Sequence, residues 1–89
     1  MKVTGAVIRE EGVVFGVVLM KESAANNPSM RDEFYRAAST LPMFGGLPLV
    51  VAAQTRGGRV RYWGRDDLTR SLASIYFEQI PWKEYALAA

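Results

Sequence analysis

Between Thr55 and Ser71 the chain reads "TRGGRVRYWGRDDLTRS". In an extended strand, residues two apart share a face, so Arg59, Arg61 and Trp63 point one way and Val60, Tyr62 and Gly64 the other. Arg56, in the turn before, and Arg65, just beyond, flank the first face. Guanidinium forks match the geometry of phosphate and carboxylate, and an indole face can stack on a base. The stretch carries five arginines against Asp66 and Asp67, while the whole chain has a net charge of only +2. Its positive excess is therefore concentrated here. The candidate ligand-binding residues are Arg56, Arg59, Arg61, Trp63 and Arg65, and the candidate partner is nucleic acid or another anionic ligand. A helix starting after Gly64 would add backbone N–H donors, but Asp66 and Asp67 would compete for them. The plainer alternative is a solvated edge. Charge on an edge strand discourages pairing with other sheets, and Arg61 and Arg65 have Asp66, Asp67 and Glu11 as possible partners.

Other chemistry is narrowed by what is missing. The chain contains neither histidine nor cysteine. That removes disulfides, Cys/His zinc sites, a Ser-His-Asp triad, a thiolate nucleophile and an imidazole acid or base. Carboxylate, Lys, Tyr and hydroxyl chemistry remains, as does an oxygen-ligated divalent cation. Lys21 and Glu22 leave an apolar strand, a position where catalytic groups occur and where an ordinary strand end also meets water. Glu10–Glu11 falls in a predicted turn, where charge is expected. Asp66–Asp67 falls in a helix first turn, where the dipole favours acids without any metal. "MFGGLP", Met43 to Pro48, lacks the spacing of a phosphate-cradling loop. No coherent catalytic set emerges and no cofactor is implied. An enzyme would have to assemble Lys21, Glu22, Tyr62, Asp66 or Asp67 at a subunit interface.

The elements that would position these groups follow from periodicity. Val3–Arg9 and Val13–Lys21 are β-rich runs around a Gly-ended connection, a hairpin signature. Val13 to Met20 leaves no polar face, which implies cover on both sides, and Gly16 within it marks a bulge or a close backbone approach. Asn27 and Pro28 suit the N-cap and first position of a helix running to about Thr40. Met30, Phe34, Ala37, Ala38 and Leu41 form its apolar stripe. Arg31, Asp32, Glu33 and Arg36 fall outside that stripe, with Asp32–Arg36 spaced as an ion pair. Leu49–Gln54 and Arg59–Trp63 form a second hairpin around Gly57 and Gly58, residues able to take positive φ. A helix is predicted from about Asp66 to Phe77. "PWKEYAL" reads as a short helical tail with Trp82 and Tyr85 on one face.

The expected fold class is α+β, a single compact domain over residues 1–89. It would be a mainly antiparallel sheet of about four strands in β-β-α-β-β-α order, with helices packed on one face and a short C-terminal helical tail. One helical layer covers one face only, so the second cover of this strand must come from another subunit or from a segment of this chain not yet placed; a second copy is the favoured source. A domain of 89 residues has a thin stability margin, and neither disulfide nor Cys/His zinc is available to widen it. A homo-oligomer, with a dimer favoured, is the expected assembly. Val13, Phe15, Val17, Leu19, Met43 and Phe44 are the candidate interface. The N-terminus lacks the pattern of a signal peptide, and no apolar run approaches the about 20 residues a membrane helix needs. The expectation is a cytoplasmic, non-catalytic, self-associating interaction or regulatory module without membrane attachment. Anion or nucleic-acid binding through the second hairpin is the alternative.

Overall fold

A computed structural model describes residues 2–10, 12–55 and 57–86. The order is β1 (Lys2–Glu10), β2 (Val13–Leu19), α1 (Glu22–Ala25), α2 (Pro28–Ser39), a 3₁₀ turn (Pro42–Phe44), β3 (Leu49–Gln54), β4 (Val60–Trp63), α3 (Asp66–Ala73), a second 3₁₀ turn (Phe77–Gln79) and β5 (Lys83–Ala86). All five strands join one sheet, ordered β4-β3-β2-β1-β5.

Local chemistry accounts for most of the boundaries. Gly12, at φ +79°, turns the chain between β1 and β2, whose antiparallel register runs unbroken from Thr4↔Leu19 to Glu10↔Val13. Gly57 and Gly58, at φ +86° and +79°, close the β3–β4 hairpin, a conformation that costs a residue with a Cβ. Asn27 caps α2. Its Oδ1 accepts from the backbone N–H of Ser29 at 3.0 Å and of Met30 at 3.2 Å, and Pro28 occupies the first turn. Asp32 and Arg36 lie one helical turn apart at 4.0 Å, as their spacing predicts.

Register assigns each side chain to a layer. On one face Val3, Val18, Leu49 and Val51 meet Ala38 and Leu41 from the α2 side, together with Phe44. On the other, Ala6, Ile8, Phe15, Val17, Val50 and Ala52 meet Leu68 and Leu72 of α3 and Ile80. Phe15, Val17 and Val18 are wholly buried. From Phe15 to Val18 the apolar run of β2 is therefore covered front and back, by its own chain on both sides, while Val13 and Val14 at its start are 38% and 36% exposed.

Three expectations are corrected. The sheet has five strands where about four are predicted; it is mainly antiparallel, as predicted, with one parallel pair, β2 beside β3, Gly16 opposite Leu49 and Leu19 opposite Ala52. Parallel neighbours need a long crossover, which α1 and α2 supply. Helices cover both faces rather than one. The C-terminal tail is a strand: β5 pairs antiparallel with β1, Val3 opposite Tyr85, because the outer edge of β1 offers a ladder that an isolated helical turn does not. Trp82 and Tyr85, three apart in extended chain, accordingly lie on opposite faces. Two smaller differences concern helices. α3 stops at Ala73, and α1 occupies part of the expected polar connection.

Gly16 makes a close approach and not a bulge, since the ladder passes through it at Val7↔Gly16. A Cβ built there would stand 2.5 Å from Leu49 Cδ2 and 2.6 Å from Phe44 Cδ1. Gly16→Ala should accordingly lower the unfolding free energy by about 1–3 kcal/mol, read as a lower urea midpoint with an unchanged m-value. Asn27→Ala, which removes the cap without crowding anything, should cost about 1 kcal/mol in the same assay.

Candidate functional site

Among the described residues β4 is an edge strand, paired with β3 on one side. Its alternation falls as the sequence predicts. Val60 and Tyr62 pack toward α3, whereas Trp63 packs on the α2 side. Trp63 is opposite Val51, and Arg61 is opposite Ala53. Two residues apart, Arg61 and Trp63 share the outer part of the α2 face. The Arg61 guanidinium lies over the Trp63 ring, 4.8 Å from its centroid. A second guanidinium, that of Arg31 from the start of α2, lies 5.2 Å from the same centroid. Contacts of this kind hold a cation by attraction to the ring quadrupole.

The remaining partners of these two arginines are neutral. Arg61 donates to Asn26 Oδ1 at 3.2 Å, and Arg31 donates to the carbonyl of Ala25. Both acceptors belong to the junction between α1 and α2, so this short connection orients the pair. Among the described residues neither guanidinium forms an ion pair. Asp32 stands beside Arg31 but lies 4.0 Å from Arg36. Arg31, Asp32, Tyr35 and Trp63 surround a hollow of about 180 Å³ floored by Leu49 and Val51. Tyr35 is 41% exposed at its rim. Arg31 and the acidic Asp32 line this hollow, whereas Arg61 reaches the Trp63 ring from outside it; guanidiniums held beside an indole have the chemistry to bind a phosphate or carboxylate.

The other sequence candidates are placed differently. Arg59 is exposed just ahead of β4. Its carbonyl accepts from the Thr55 N–H at 2.7 Å, which pins the turn. Arg65 is committed to Asp67 by a two-pronged contact, Nε to Oδ1 at 3.2 Å and a terminal nitrogen to Oδ2 at 2.8 Å. That contact holds the Asp67 carboxyl below its ordinary range, with the Arg65 hydrogen bond the largest cause. Arg56 and Glu11 lie outside the described residues. Arg31 was missed because helical spacing set it outside the apolar stripe; its position at the N-terminal end of α2, against the free edge of the sheet, is a tertiary fact.

Of the candidate interface residues, Phe15, Val17 and Phe44 are buried in the core of this chain, Leu19 and Met43 are half-buried, and Val13 is 38% exposed. The groups required for a catalytic centre do not converge. Lys21 and Glu22 follow the end of β2, level with the end of β3 at Gln54. Asp66 and Asp67 follow β4, which runs the opposite way, so they sit toward the other end of the sheet, where Asp67 faces Glu10 across a shallow hollow. Tyr62 packs against the α3-side core, and burial pushes its phenol above the ordinary value. Among the described residues no group of three or more acidic side chains is placed to hold a metal. Among the described residues no helix is long and apolar enough to cross a membrane.

No protein-family profile matches the chain, and no solved structure matches it. Over 55 residues it is 31% identical to an uncharacterised secreted glycosyl hydrolase of Arthroderma benhamiae. That likeness covers 61% of this chain and 16% of the relative, so the chain spans a small part of that protein's length.

Proposed function

We propose that this chain is a binding module for a small phosphate- or carboxylate-bearing ligand, held on the outer α2 face of β4 by Arg31 and Arg61 beside Trp63. One observation carries the reading: two guanidiniums rest on one indole, and among the described residues neither forms an ion pair, Asp32 beside Arg31 being placed toward Arg36. Bidentate hydrogen bonds from ordered arginines are the strongest common means of holding such anions. The same charges also protect the free edge of β4 from pairing with another sheet.

A small anion is favoured over nucleic acid by the extent of the patch. Binding along a strand calls for a continuous basic track with open aromatic platforms. Here Arg65 is bound to Asp67, and the Trp63 ring already carries two guanidiniums. β2 does not require a second copy of the chain, because Phe15 to Val18 are covered on both faces by the chain itself.

The likeness to a secreted glycosyl hydrolase concerns 16% of that protein's length, and the binding proposal stands apart from it.

Titration with inorganic phosphate and with citrate, followed by amide chemical shifts at low ionic strength, should move resonances of Arg31, Arg61 and Trp63. Arg31→Ala and Arg61→Ala should each weaken binding by about tenfold or more, and added salt should weaken it further. Arg59→Ala should change little. Absence of any shift in the parent protein would end this reading, and tighter binding of a single-stranded oligonucleotide would replace it with the nucleic-acid one. Separately, the Asp67 carboxyl should titrate below the usual aspartate range. Its contact with Arg65 should persist above that value and be lost as pH falls through it. Carboxyl carbon shifts should show the titration moving upward in Arg65→Gln.

A further inference from the structure

A second hollow, on the face of the sheet opposite the Trp63 cluster, opens beside the free edge of β4. Its volume is about 380 Å³, of the order typical of small-molecule sites. Val60 and Tyr62 line it from β4, and Tyr76, Phe77 and Glu78 line it from the chain that runs into the second 3₁₀ turn. That turn is anchored. Ile80, just past its end, is buried in the core. The Trp82 ring lies 5.1 Å from that of Phe77, and the Trp82 Nε1–H donates to the Phe77 carbonyl at 3.0 Å. Tyr76, at the start of the turn, is 74% exposed, the most open of the large hydrophobic side chains among the described residues. A single exposed ring is ordinary. This one shares a hollow with a second phenol, a phenyl ring and a carboxylate.

Its charge has one sign. Glu78 forms no ion pair among the described residues, and none of them that lines the hollow is a lysine or an arginine. The hollow at Trp63 has Arg31 in its lining, and the one at Asp67 has Arg70. An anion in the present hollow would meet Glu78 with no counter-charge. A sugar, polar on every edge, would find hydrogen-bonding side chains only in the two tyrosines and Glu78. A cation would be drawn to the carboxylate by its charge and to the aromatic faces by their quadrupoles. A primary ammonium is strongly hydrated and seeks three acceptors. A quaternary ammonium has no N–H to satisfy and presents methyl groups to its surroundings. It therefore suits a lining that is aromatic and aliphatic except for one carboxylate.

We infer that this hollow binds a small quaternary ammonium cation of choline's type. Its trimethylammonium group lies among Tyr62, Tyr76 and Phe77, and Glu78 supplies the counter-charge. The hollow is on the α3 face of β4 and the arginine cluster on the α2 face, so this site does not depend on the arginine site.

Titration of the full chain with choline at millimolar concentration, followed by amide chemical shifts, tests it. Choline should move the resonances of Tyr62, Tyr76, Phe77 and Glu78. Two matched probes separate charge from shape: 3,3-dimethylbutan-1-ol, the neutral carbon isostere, and ethanolamine, whose ammonium carries no methyl groups. Each should bind more weakly than choline by about threefold or more. Tyr76→Leu, which removes the ring but not the apolar bulk, and Glu78→Gln, which removes the charge, should each weaken choline by about threefold or more. Tyr76→Phe should retain it. Arg61→Ala should leave choline binding as it was, which keeps this result separate from the fate of the arginine site. Circular dichroism of each variant checks that it is folded. No shift with choline, equal affinity for the neutral isostere, undiminished binding by Tyr76→Leu and Glu78→Gln, or a response of these residues to glucose in place of choline would overturn the proposal.

Discussion

Phe44 occupies a space that two strands leave open by having no side chains. On the α2 face of the sheet, Gly5 of β1 and Gly16 of β2 lie on neighbouring strands, and a Cβ on either would stand within 3 Å of the Phe44 ring. The ring is 1% exposed and meets Tyr85 of β5 edge-on, with centroids 5.8 Å apart. One aromatic side chain thereby touches the hairpin, the far-edge strand and Leu49 at the start of β3. It also fixes where the chain coming off α2 must land. Pro42 and Leu41 bring Phe44 down onto the glycines, and the Gly16 N–H donates to the Pro48 carbonyl at 2.9 Å, which sets β3 parallel to β2. Loss of ring or glycines would remove a close-packed contact of the kind that makes interiors sensitive to a single methylene.

Both hollows follow from that placement. With β3 locked beside β2, β4 becomes an edge, and the start of α2 is carried over it. This brings Arg31 to the indole of Trp63. On the other face of the same edge strand, Val60 and Tyr62 line the space that Tyr76 and Glu78 border. Ala25, wholly buried, holds α1 down and presents its carbonyl to Arg31. The short α1–α2 connection thus belongs to the setting of the arginine site.

Much of the local structure was legible because it depends on neighbours in sequence. Asn27–Pro28 announces a helix start by cap chemistry. Gly57–Gly58 announces a turn by backbone freedom. The alternation of Arg61, Tyr62 and Trp63 announces which side chains share a face. The unbroken apolar run of β2 stated its own need for two covers, and a strand–helix–strand order already contained the parallel crossover that supplies one of them. What escaped was long-range. β5 has four residues with weak periodicity, and its strand state comes from the open edge of β1, about eighty positions earlier. The second roof escaped because an apolar stripe shows that a helix packs on the sheet but not on which face, and α2 and α3 take opposite faces. Arg31 escaped because a charged residue outside an apolar stripe looks the same whether it faces water or an indole.

The pairing of β1 with β5 also bears on how the chain is made. During synthesis the N-terminal strand emerges first, yet one of its ladders waits for Lys83–Ala86. Until β5 has been made, about eighty residues later, β1 therefore presents unpaired backbone donors and acceptors along one side, beside residues as apolar as Val3 and Val7. Such an edge invites pairing with other nascent chains. The turn-closed hairpin with β2 and the charged ends at Lys2, Arg9 and Glu10 are the protections available to it until the last strand arrives.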